Sequence, residues 1–90
     1  MTGAELIIQE RQRQIDVEGW TVEHDGHHQN GELIAAAIFY ADEATSAMEW
    51  PWDELPRSRG DDRIRDLTKA GALIAAEIDR LVRAELEERA

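Results

Sequence analysis

Three features of the sequence predict an all-α protomer of three helices, the last one long. Apolar residues recur at steps of three and four from Ile64 to Leu81, the spacing of one helical face. Leu33, Ile34, Ala37, Ile38, Tyr40 and Ala41 share a second such face. Near the N-terminus, Thr2 is followed three residues later by Glu5, the pairing of a capping box.

The first helix is expected from a Thr2 cap to about Val17. On a 100° wheel Ile7, Ile8, Ile15 and Gln14 bracket Arg11, which sets this cation inside the apolar stripe. Its stem then packs, and its head either pairs with Glu18 or another carboxylate or holds a ligand phosphate or carboxylate. Gly19 stops the helix. From Trp20 to Asn30 the chain alternates too little for a strand and is too polar for a core helix, so an ordered loop is expected. Trp20 either plugs this loop onto the core or offers an indole face to a base.

His24 and His28 are four apart with Asp25 beside the first. On a helix that spacing would align two imidazoles for a metal. Gly26 and the missing apolar periodicity count against helical geometry, leaving a His–Asp pair that fixes the loop or contacts a ligand. No metal or other cofactor is assigned. The second helix is expected from about Gly31 to Met48, capped by Asn30, with an Ala-rich middle that permits close helix approach. Phe39 projects away from its Leu33/Ala37/Ala41/Ala44 face and calls for a second surface, such as a neighbouring subunit.

Both prolines lie between Glu49 and Gly60 and exclude a continuing helix. Trp50 and Trp52 flank Pro51 as a rigid aromatic corner that either caps the helix ends or walls a ligand pocket. Arg57 and Arg59 are expected in solvent. The third helix begins near Asp61-Asp62, acids suited to a helix N-terminus, and runs to about Glu88. Ile64, Leu67, Gly71, Ile74, Ile78 and Leu81 form the seam expected to pack inward. The opposite side carries Ala72, Leu73 and Ala76 among Arg65, Lys69 and Arg80, which implies a homo-oligomer interface or a pocket with a basic rim. Arg65 and Lys69 can also pair within the helix, with Asp62 and Asp66.

Ninety residues without a composition break fit one helical domain spanning 1–90, small enough that association would enlarge its core. A formal charge of −10 argues against general nucleic-acid binding. The absence of cysteine excludes disulfides and cysteine-ligated zinc. No apolar run reaches a membrane span and no signal pattern opens the chain, so no membrane partner and a cytoplasmic location are expected.

Motifs along most of the chain resemble a group of short phage and prophage proteins. They are ERQRQI at Glu10 to Ile15, EGWT-x-EHD at Glu18 to Asp25, and GEL with AA and YA between Gly31 and Ala41. WPW at Trp50 to Trp52 and RDL-x-KA-x-ALI-x-AEIDRL from Arg65 to Leu81 complete the order. The chain departs after WPW, where ELPRSRG stands in place of a stretch richer in Trp and Lys. The resemblance implies a compact phage oligomer that sequesters a nucleotide-derived immune signal, a cyclic ADP-ribose-like molecule or a cyclic dinucleotide, without cleaving it. On that reading Trp20, Tyr40, Trp50 and Trp52 supply faces for the base, and Arg11, Arg65 and Lys69 supply charge for the phosphates. His24, Asp25 and His28 supply polar contacts for the ribose.

Two other classes fit less of the sequence. A MazG-like nucleotide pyrophosphohydrolase would hold magnesium through carboxylates at helical spacing; Glu85 and Glu88 have one such spacing, but near the chain end, with no matching second pair. A protein-binding inhibitor of a host factor would use Leu73 or Phe39, if exposed.

Overall fold

The computed structural model describes residues 1–19, 31–43, 49–52 and 62–89. These residues form three α-helices: α1 (Gly3–Asp16), α2 (Glu32–Ala41) and α3 (Arg63–Arg89). The expected all-α class is what the described residues adopt. None of these helices is long and apolar enough to cross a membrane.

α1 starts with the capping box read from the sequence. The Glu5 amide donates to Thr2 Oγ1 at 3.2 Å and the Thr2 amide donates to Glu5 Oε1 at 3.0 Å. These bonds lower the Glu5 carboxyl below its ordinary value. Thr2→Ala is expected to lower stability by about 0.5–1 kcal/mol, measured by denaturation followed through helical circular dichroism. At the other end the Val17 amide donates to Arg13 O at 2.8 Å. Gly19, at φ +73°, then turns the chain through a conformation that glycine adopts without steric cost.

α2 differs from expectation at both ends. Its N-cap is Gly31, left-handed at φ +83° and without a side-chain cap, in place of Asn30. It ends at Ala41, short of Met48, because Asp42 turns extended (φ −107°, ψ 103°). The Arg63 guanidinium occupies the helix end, donating to the carbonyls of Tyr40 and Ala41 that a longer helix would use internally. At the start of α3, near the expected acidic pair, Asp62 Oδ1 accepts from the Arg65 amide at 3.1 Å, a side-chain cap in place of the ion pair expected between these two residues.

α3 is the element on which the other two rest: α1 and α2 each pack along it and meet each other only weakly. The core lies between α2 and α3, where Leu33, Ala36, Ala37, Phe39 and Tyr40 meet Ala70, Leu73 and Ala76, with Trp50 and Trp52 packed against them.

This reverses the face expected of α3. Leu73 and Ala76 point inward, while Ile64, Leu67, Ile74, Ile78 and Leu81 are exposed. Alanines on both helices let the α2 and α3 backbones come close, and bulky isoleucines in that seam would hold them apart. Phe39 needs no neighbouring subunit. It is buried with its ring centroid 5.1 Å from Trp50 and 5.5 Å from Tyr40. With Leu73 and Phe39 both inside, neither is available to a host protein.

α1 crosses α3 at Gly71. A Cβ there would stand 2.5 Å from Ile7 Cδ1, so Ile7 fills the space that the glycine leaves.

Candidate functional site

Two chemically distinct groups of side chains meet beside α3. The first is aromatic. Tyr40 and Trp50 have centroids 5.6 Å apart, and Trp50 and Trp52 5.1 Å, both pairs edge to face, the arrangement favoured by the ring quadrupoles. The Lys69 ammonium stands 5.2 Å from the Tyr40 centroid, within cation–π range. Burial pushes the Lys69 pKa down and the charge of Arg65 adds to the shift, against a smaller opposing pull from Glu10 and Asp66.

The second group surrounds one carboxylate. Glu10 is buried, its side chain 1% exposed, and Arg65 Nη1 lies 2.6 Å from its Oε1. Arg13 donates to both oxygens, Nε to Oε1 at 2.9 Å and Nη2 to Oε2 at 2.8 Å. Gln14 Nε2 donates to Oε2 at 3.3 Å. Burial alone would raise the Glu10 carboxyl, but the bonds and charges of Arg13 and Arg65 outweigh it and hold the group below its ordinary value. The same contacts raise Arg13, which also reaches Glu18 Oε1 at 3.1 Å. An open groove of about 450 Å³ runs between α1 and α3 over this cluster, lined in part by Leu6, Glu10, Arg13, Ile64, Arg65 and Thr68.

Five residues singled out in the sequence, Tyr40, Trp50, Trp52, Arg65 and Lys69, thus occupy one region. Arg11 does not join them. It is buried in the α1–α3 contact with Nε 3.7 Å from Asp79 Oδ2, and Asp79 lies ten positions beyond Lys69, about 15 Å along the helix. Of the partners expected for it, Glu18 or another carboxylate, Asp79 is the one found, and Glu18 pairs with Arg13. Arg65 likewise pairs across to α1, while Asp62 is used as a cap. Trp20, His24, Asp25 and His28, together with Arg57 and Arg59, lie outside the described residues. Among the described residues no three acidic or histidine side chains converge as metal ligands.

The sequence reading missed Glu10 and Arg13, the centre of the charged cluster. The signal for Glu10 was available: the positions three and seven beyond Ile7, on its own helical face, are Glu10 and Gln14, and Arg13 follows Glu10 by three. The inward side of α1 therefore turns polar after its first two turns. Set against family models, curated proteins and solved structures, the chain matches none.

Proposed function

We propose that this chain binds a small nucleotide-derived ligand and holds it uncleaved, as a phage-type protein sequestering an immune signal does, and that it works as a homo-oligomer. Lys69 carries the reading: a half-buried cation over the Tyr40 ring, which in turn meets Trp50, and close to the charge of Arg65. Tyr40 itself is buried, so a ligand with a flat base and phosphates would meet the partly exposed Trp50 and Trp52 and positive charge there.

The Arg65 side chain, 41% exposed while bonded to Glu10, has donors left for a phosphate oxygen. Lys69 gains most from such a ligand, because an anion would restore the stabilisation that its ammonium loses on burial. The surrounding surface, with a formal charge of −10, repels long polyanions and leaves small ligands as the ones admitted. Sequestration requires no nucleophile.

Incubation with a panel of ADP-ribose derivatives and cyclic dinucleotides, with and without magnesium, followed by chromatography before and after heat denaturation, tests this. The expected result is depletion of one compound and its intact recovery on heating. Lys69→Met should weaken that binding by about tenfold or more with helix content retained. A new product would replace sequestration by catalysis, and no depletion of any compound would refute the ligand.

A further inference from the structure

Around α3 the protomer buries several polar side chains beside its apolar core and leaves large apolar ones outside. Glu10, Arg11, Gln14, Asp66 and Glu77 are buried. Ile64, Leu67, Ile74, Ile78, Leu81 and Val82 are 68, 46, 44, 55, 53 and 50% exposed. At 100° per residue every position from Ile64 to Val82 within a sector about 120° wide is apolar or glycine. This uncharged strip is about 27 Å long. It leaves on the order of 600 Å² of apolar surface, at the upper limit for a monomer's largest patch and near the roughly 800 Å² that each partner gives to a specific interface.

We infer that this strip is the interface between two copies of the chain, paired antiparallel about a two-fold axis near the middle of α3. Ile64, Leu67, Gly71, Ile74, Ile78 and Leu81 step by three and four in strict alternation, the 3.5-residue repeat of helices that pack seam to seam. The strip is its own complement in that orientation. Ile64 meets the partner's Leu81 and Leu67 meets the partner's Ile78, while Gly71 lies under Ile7 of its own protomer and leaves the centre of the strip to the two copies of Ile74.

Charge selects the same direction. Arg63, which also holds the end of α2, stands in line with the strip at its start and Glu85, paired with Arg89, at its end, both partly exposed. An antiparallel pair sets Arg63 near the partner's Glu85, whereas a parallel pair sets like against like. For a chain of formal charge −10, a strip free of acids is also the surface on which two copies approach with least repulsion. Ile64 borders the groove over Glu10 and Arg13, so the partner's α3 would wall that groove's open side. This pairing rests on the α3 surface and stands whether or not a nucleotide binds.

Light scattering on the purified chain should give twice the 10.2 kDa of the protomer. Ile78→Glu, which places a carboxylate in the buried strip, should raise the dimer dissociation constant about 100-fold or more. Helix content should hold, because Ile78 is exposed in the protomer. The chain has no cysteine, so direction can be read covalently. An oxidised mixture of Ile64→Cys and Leu81→Cys chains should yield the mixed dimer, and neither variant alone should cross-link. A monomeric wild-type chain, a dimer indifferent to Ile78→Glu, or self-cross-linking of Ile64→Cys would each overturn the assignment.

Discussion

Leu73→Ala is expected to lower the stability of the fold by about 3–4 kcal/mol, in the upper part of the range for buried leucines. Leu73 is 2% exposed and sits between Ala70 and Ala76 on its own helix, facing Leu33, Ala36 and Ala37 of α2. Alanines cannot swing into the vacated space, and the backbones they already hold close together have little room to collapse further. A domain of this size has roughly 5–13 kcal/mol to lose, so thermal unfolding at fixed protein concentration should shift down by about 12–25 °C. Val17→Ala, at a residue 72% exposed, is the control and should stay within about 0.5 kcal/mol. A loss below about 1 kcal/mol for Leu73→Ala would mean that α2 is not seated on this face of α3.

Glu10→Gln should cost about 2 kcal/mol. The substitution keeps the shape and one acceptor oxygen but leaves Arg13 and Arg65 without their shared anion. Full burial of both cations would make the loss larger. Their side chains are 34% and 41% exposed, and solvent screens them in part.

The carboxyl of Glu10 is lower in the folded chain than its ordinary 4.5. Its contribution is therefore fully present above that unfolded value and is lost as pH falls through the lower folded one. Urea unfolding across the acid range should show the wild type losing its advantage over Glu10→Gln below pH 4.5, with the two curves converging. A gap that stayed constant with pH would show that Glu10 acts through packing alone.

The three helices of the described residues, the Thr2 cap and the acidic start of α3 could be read from the chain because each is a local matter. Thr2 and Glu5 are three residues apart, as are Asp62 and Arg65, and each pair's bonds form within one turn. The inward face of α3 could not be read in the same way. Both faces of its middle are apolar, and periodicity registers two stripes without ranking them. Alanines on α2 settled the matter, through a fit between helices thirty residues apart.

The candidate site divides along the same line. Lys69 and Arg65 were legible as cations on the rim of an apolar helix, and the Trp50–Trp52 corner as aromatic packing. The long-range partners were not legible: Arg65 with Glu10 and Arg11 with Asp79. Each joins residues more than fifty positions apart, and many other acids in the chain offered equally good local matches. Likewise α2 stops at Ala41 because Arg63, from the next helix, takes its terminal carbonyls. Nothing in its own sequence marks that end.

The docking of α1 and α2 onto α3, with little between them, also orders events during synthesis. α1 has 14 residues and α2 has 10, lengths at which an isolated helix in water is marginal. Both emerge from the ribosome before any of their platform exists. Chains normally fold domain by domain as they are made, but here the first half has nothing to fold against until most of the last 28 residues have followed. Translation that stops short of α3 should therefore leave an unstructured, protease-sensitive fragment, and the nascent chain should acquire its structure in one late step.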